Sequence, residues 1–473
     1  MLKNTTVQLM ALGLVGSFVA TAAAQDSGAL IDALVRKGVL KDQEAESIRA
    51  QMTRDFAANS SAGKLNLSTS VKELKLSGDV RLRGVYDNQR GQAQAVDPAL
   101  GGGGVAGNNV GDQQKMRYRI RLRINADYKM TEDWFAGFGL QTTQNNDSGN
   151  QTLANSPGTS GDYFQNYNIF ISKAFLGWNP TNGVTLIGGK QANPFYTTDL
   201  VWDADINPTG FTQRVDLHKM FDLRGLELSA VAGQFVVSDN NESNVGDPTV
   251  VPANNAAKKR DAFVYQAQLI AAANVFDGVK LTVAPGYYWS NGAATNGNGG
   301  GQGNPAAGTR ALDGLKVLLL PGDVSFKIAG KPAKVLWDIA YNQDAADRTR
   351  SYGLLDEAGN PVNPTSQDKL AYLLGFQIGE NKKKGDWSVL ANYRRVGLSA
   401  VDPNINDSDW AESYTNMTGY KAGFLYNLGD ATSIGATYYV GDNLRKSIGG
   451  GGLPVGPTSS SVHVVQLDLN VKF

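Results

Sequence analysis

The 473-residue chain contains no cysteine. It therefore has no disulfide staple, no thiolate nucleophile and no thiolate metal ligand. Histidine is nearly as scarce, with only His218 and His463, far apart in sequence. Without cysteine, paired histidines or an acidic repeat, neither a metal site nor a cofactor is expected. Net charge is missing too, because 44 Lys and Arg balance 44 Asp and Glu. No broad basic field favours nucleic acid, so no such partner is expected. Past residue 24 there is no apolar run of about 18 residues, which excludes a helical membrane protein. The glycines of 290–304 precede no helix and form no phosphate cradle. Ser461 lies near His463, but nothing in the sequence fixes a nucleophile, base and orienting group in mutual reach. No enzyme motif remains.

What the chain does have is alternation. Residues 115–128 read KMRYRIRLRINADY. Met116, Tyr118, Ile120, Leu122, Ile124, Ala126 and Tyr128 alternate with Arg117, Arg119, Arg121, Arg123, Asn125 and Asp127. In a strand, successive side chains take opposite faces, so one face is greasy and the other carries four guanidinium groups. A soluble sandwich would bury the greasy face. A membrane barrel would turn it to lipid and the arginines to a wet lumen.

The connections favour the barrel. Sixteen period-two segments are predicted: 74–86, 115–128, 134–144, 167–178, 184–191, 211–219, 225–237, 262–273, 279–289, 315–328, 333–342, 369–378, 387–396, 418–428, 431–440 and 462–473. The weakest are 211–219, with poor alternation, and 315–328, which Pro321-Gly322 interrupts. Long and short connections alternate almost without exception, as tight periplasmic turns and long external loops do. Aromatic residues gather near both strand ends, with Tyr128, Trp134, Trp387, Tyr426 and Phe473 on the turn side. Tyr86, Tyr287, Trp289, Tyr341 and Tyr438 sit on the loop side, and the two sets suggest lipid-interface girdles. The predicted fold is an all-β transmembrane antiparallel barrel of about 16 strands over residues 71–473, with outer-membrane lipid around it.

The N-terminal residues divide in two. Residues 1–24 read as a signal peptide: Lys3, the apolar stretch 9–20 and the small residues 22–24. Residues 25–70 read as a short helical segment and a polar linker. Leu30, Ile31, Leu34 and Val35 have helical spacing, Gly38 is a stop, and Asp42 can cap a second helix. A periplasmic hairpin, an oligomer-forming module and a mobile arm all remain open for it.

Charge segregation is the functional signal. Arg81 and Arg83 share the lumen phase with Arg117, Arg119, Arg121 and Arg123, and Arg394 is in lumen phase farther along. Strands lie about 4.8 Å apart, so the first six form one compact patch. Six crowded like charges repel, which points to anion attraction or to field formation. Asp79 and Asp127 can offset part of it. The third long connection, 192–210, carries Asp199, Asp203 and Asp205 and no basic residue.

Several segments together resemble bacterial outer-membrane porins. They are the signal segment, ALIDALVRKGVLKDQEAESIRAQM, GGKQANPF, LVWDADINPTG and the closing LNVKF. The combination is similar to the group called putative porins, relatives of phosphate-selective porins. The resemblance implies a sixteen-stranded barrel, commonly a homotrimer, that passes small hydrophilic solutes or anions. It also implies that the third external loop folds inward, which would set Asp199, Asp203 and Asp205 against the arginine wall. The expected function is a passive diffusion channel. The alternatives are an anion- or phosphate-selective porin and a plugged barrel serving as a structural or surface-binding protein. The acidic third loop speaks against strict phosphate selectivity.

Overall fold

A computed structural model describes residues 31, 34–37, 39–59, 68–92, 113–130, 133–143, 148–154, 166–238, 262–291, 315–351, 355–356, 360–445, 448–450, 453–454 and 459–473. The expected signal segment 1–24, Gly38, most of the 58–70 linker and nearly all of the glycine-rich 290–304 stretch lie outside these. The chain divides into two units, residues 1–69 and 70–473. In the first, a helix spans Asp42–Asn59. Its start differs from the expected Asp42 cap. Lys41 N donates to Glu44 Oε2 at 3.0 Å, and Ala45 N donates to Lys41 O at 2.9 Å. Lys41 thus occupies the cap position, and Glu44 reaches back to it as the acidic half of a capping box.

In the second unit the alternating sequence closes into one antiparallel barrel. Its strands are β1 (Val71–Gln92), β2 (Gln113–Met130), β3 (Trp134–Thr142), β4 (Ile169–Thr181), β5 (Val184–Lys190) and β6 (Thr209–Asp216). There follow β7 (Leu226–Ser238), β8 (Ala262–Phe276), β9 (Val279–Val283 with Gly286–Asn291) and β10 (Lys316–Leu319 with Gly322–Ile328). The last six are β11 (Lys331–Asn342), β12 (Leu370–Gly379), β13 (Trp387–Val396), β14 (Met417–Asn427), β15 (Thr432–Asn443) and β16 (Ser459–Lys472). Each pairs with its sequence neighbours, and β1 pairs with β16 from Asp79 opposite Lys472 to Gln92 opposite Ser459. Closure continues past β16, where Gly78 N donates to Phe473 O at 2.8 Å and Phe473 N to Gly78 O at 3.1 Å. No sheet edge is left between the first and last strands, as hydrocarbon requires.

All sixteen expected strands form. The two weak ones differ for local reasons. β6 stops at Asp216 because Leu217–Met220 make a helical turn, which explains the poor alternation there. β10 breaks at Leu320-Pro321, and β9 breaks beside it at Ala284-Pro285. Neither proline has an N–H to give, but both carbonyls still accept: Pro321 O from Ala284 N at 2.9 Å and Pro285 O from Leu269 N at 3.0 Å. The two-residue hairpin Ala329-Gly330 between β10 and β11 has φ of 48° and 75°, the doubly left-handed turn that suits strand twist.

The alternation sets the two faces. Along β1 and β2, Leu76, Leu82, Met116 and Tyr118 are exposed on the outer wall, whereas Asp79, Arg81, Arg83 and Arg121 are buried inside. Outward aromatics mark both rims: Trp134 stacks on Trp178 with centroids 5.4 Å apart, and Tyr265 stacks on Trp289 at 5.2 Å. The buried apolar cluster lies within the barrel. It joins inward residues such as Val231, Phe235, Tyr288, Leu373 and Val464 to Leu200, Trp202, Val401 and Trp410 from two connections.

Candidate functional site: the barrel interior

The β1–β2 register fixes the arginine wall. Arg81 lies opposite Arg121, Arg83 opposite Arg119, and Asp79 opposite Arg123. Directly opposed like charges destabilise a sheet unless they are offset. Carboxylates offset most of them. Asp79 Oδ2 accepts from Arg121 Nε at 3.1 Å and Nη2 at 2.9 Å, and its Oδ1 accepts from Arg123 Nε at 2.6 Å. Arg83 holds Asp468 bidentately at 2.7 and 2.9 Å and donates to Asp409 at 3.0 Å. Arg117 Nη2 meets Asp87 at 3.5 Å. Arg81 and Arg119 instead contact neutral Asn150, and among the described residues neither forms an ion pair. Asp127 lies opposite Lys75, away from this cluster.

Residues 191–208 connect β5 to β6 and touch strands around the barrel. The segment is anchored apolarly by Phe195, Leu200, Val201 and Trp202, all buried. A Cβ on inward Gly233 of β7 would come within 2.5 Å of Phe235 Cζ and 3.0 Å of Phe195 Cζ, so glycine there leaves room for both rings. Polar contacts then fix the direction of the segment. Tyr196 N donates to Gln268 Oε1 of β8 at 2.8 Å, and its hydroxyl donates to Asp323 of β10. Thr198 Oγ1 donates to Asp338 of β11 at 2.8 Å, and Trp202 Nε1 donates to Gln266 of β8 at 2.8 Å. Asp199 accepts from Lys421 Nζ of β14 at 2.6 Å. On the opposite side, Asp205 Oδ1 lies 3.5 Å from Arg121 Nη1 and 3.9 Å from Arg123 Nη1. Of the three acidic residues only Asp205 reaches the arginine wall, whereas Asp199 pairs with Lys421 on β14 and Asp203 is held by Ser408.

Sequence reasoning missed a second segment, 397–416 between β13 and β14. Its Leu398, Ala400, Val401 and Trp410 are buried. Its Asp402 accepts from Tyr288 Oη at 2.8 Å, its Asp407 accepts from Arg394 Nη1 at 2.8 Å, and its Asp409 reaches Arg83. Arg394, 1% exposed, also lies 5.0 Å from the Trp410 ring centre. The two segments interlock. Asp203 Oδ2 accepts from Ser408 N at 3.0 Å and Oγ at 2.8 Å, and Asp203 N donates to Ile405 O at 2.6 Å. A signal was present in sequence, since 402–410 (DPNINDSDW) repeats the acid, Asn, Ile and Trp composition of 202–207 (WDADIN).

Environment separates the carboxylates of these two segments. Burial pushes Asp203 up to about 6, the nearby Asp407 charge adds to this, and the backbone N–H groups of Asp205 and Ser408 offset only part. Burial also raises Asp409, but the Arg83 guanidinium and a hydrogen bond from Gln466 outweigh it and hold the carboxyl below its usual range.

Ser461 and His463 do meet: Ser461 Oγ and His463 Nε2 are 2.8 Å apart, and Tyr438 Oη lies 2.7 Å from Nδ1. All three are on the outward face of β15 and β16. Residues 461–463 are paired on both sides, with β15 and with β1. Strand ladders therefore engage the backbone around the serine, and among the described residues of these strands no pair of free N–H groups is on hand for an oxyanion. No group of three or more acidic or histidine side chains suited to a metal ion occurs among the described residues.

Among solved structures, the chain is similar to Salmonella typhi OmpF in complex with daunomycin, at 10% identity over 86% of this chain and 100% of that one, TM-score 0.45. It is similar to Pseudomonas putida OprB at 10% identity over 85% and 94%, TM-score 0.45. For a Rhodopseudomonas blastica porin triple mutant the identity is 13% over 85% and 100%, with TM-score 0.39. No curated protein matches the chain. The sequence matches the family described as "Putative porin" over residues 20–300 and 329–473, and the chain belongs to this family of bacterial outer-membrane porins.

Proposed function

We propose that the protein is a passive diffusion channel for small hydrophilic solutes and ions, in which the arginine wall of β1 and β2 faces an acidic constriction made by residues 191–208. The observation that carries this reading is the approach of Asp205 to Arg121 and Arg123 from a segment whose other contacts lie on β8, β10, β11 and β14. Because Asp205 touches Arg121 and Arg123, the opposite charges are fixed as oriented pairs in a low-dielectric interior, and these pairs create a local field there. A dipolar solute aligns in it, while an apolar one must displace oriented water. The carboxylates on Arg83, Arg117, Arg121, Arg123 and Arg394 argue for such a field over a purely cationic, phosphate-selective filter.

Homotrimers are the assembly that this reading takes, with outward small residues such as Gly84 offering a close-packing surface. The N-terminal helical segment is assigned to the periplasmic side. Replacing Arg117, Arg119, Arg121 and Arg123 together by Ala should move the reversal potential in a planar bilayer under a salt gradient. An unmoved potential sinks the role given to the wall.

One observation favours a second reading, a plugged barrel acting as a structural or surface-binding protein. Two connections supply Trp202 and Trp410 to an apolar cluster inside the barrel. Single-channel recording separates the two, because a plugged barrel gives no stepwise current.

A further inference from the structure

Residues 148–154 fold back against the arginine wall. Gln151–Thr152 pair antiparallel with β2, Thr152 lies opposite Arg119, and Leu153 N donates to Tyr118 O at 2.8 Å. This return buries Asn150 to 2% exposure. Its side-chain oxygen accepts from Arg81 Nη2, and its main-chain oxygen accepts from Arg119 Nη2 at 3.5 Å. Ser148 Oγ fixes the amide by accepting from Asn150 Nδ2 at 2.8 Å, and Thr142 Oγ1 donates to Gly149 O at 2.8 Å.

Asn150 therefore stands where the other wall arginines have a carboxylate. The chemical difference is simple: a neutral oxygen satisfies a guanidinium hydrogen but leaves its charge. Register sharpens the contrast. Arg81 is opposed by Arg121 and Arg119 by Arg83, and both of those opposing arginines are neutralised by aspartates. Among the described residues, Arg81 and Arg119 thus have no carboxylate in direct contact, and Asp205, Asp409 and Asp468 act on them only from beyond ion-pair distance. The Nε atoms of both are buried and have no hydrogen-bond partner among the described residues.

We propose that Asn150 is a specificity-determining residue of the channel. By holding Arg81 and Arg119 with neutral oxygens, it keeps a local surplus of positive charge beside the passage and biases permeation toward small anions. The inference rests on the channel reading above. Asn150→Asp preserves shape and adds one negative charge against both guanidiniums. Reversal potentials in a potassium chloride gradient give the ratio of chloride to potassium permeability.

The expected result is a fall on the order of threefold in Asn150→Asp. Should Asn150→Asp fail to fold, Arg81→Gln reads the same surplus from the other partner and should lower the ratio likewise. Parent-like ratios in the charge variants that conduct overturn the assignment while leaving the channel intact. Absence of stepwise current in the parent protein overturns the channel reading and this assignment with it.

Discussion

Arg83 shows how one side chain ties the interior together. It is 7% exposed and binds Asp468 on β16 and Asp409 on the 397–416 segment at once. Arg83→Ala would strand two partly buried carboxylates, a change that typically costs about 3–5 kcal/mol. Arg123→Ala, at a side chain 35% exposed, should cost no more than about 1 kcal/mol. Urea unfolding of the two variants in detergent micelles tests this order, and equal midpoints would contradict it. Asp203 behaves differently because its burial raises it to about 6. Above that pH it is charged, and below it neutral, so acidification removes one negative charge from the interior. The chloride-to-potassium permeability ratio should therefore rise as pH falls through about 6. Asp203→Asn should hold the high-ratio state at every pH, and an Asp203→Asn channel that still titrates there removes the assignment.

Among elements, the 191–208 segment depends on apolar anchoring at the barrel wall. Gly233→Val drives a side chain into the Phe235 ring and against Phe195, which packs on it, and overpacking of this kind costs about 1–3 kcal/mol. The segment should loosen, single-channel conductance should rise, and protease should cut within 191–208. Parent-like conductance and protection would show that the segment is held by its polar contacts alone.

The strands themselves were legible because each carries its own period-two pattern, as 115–128 does most clearly. β6 was weak in sequence because a helical turn at Leu217–Met220 replaces its end. The interior segments were harder to read. Where 397–416 goes is decided by Arg394, Arg83 and Tyr288, on strands far apart in the chain, and by the Asp203 contact with Ser408. One local trace existed. Val462 and Val464 are inward yet apolar, beside outward Val465, so the polar phase fails where buried loop residues cover the wall. The arginine row was visible, and so was Asp79 beside it, but Asp409 and Asp468 were not, since they become neighbours of Arg83 only after closure.

At the scale of the whole molecule, one pattern does two jobs. Apolar side chains face hydrocarbon while charged ones face the interior, and closure of β1 on β16 satisfies the backbone between them. The most direct measurement is single-channel recording of the refolded protein in a planar bilayer under a potassium chloride gradient. The account predicts discrete, stable current steps with a reversal potential that shifts when the four β2 arginines become alanine. A silent barrel, or steps indifferent to those arginines, would contradict it.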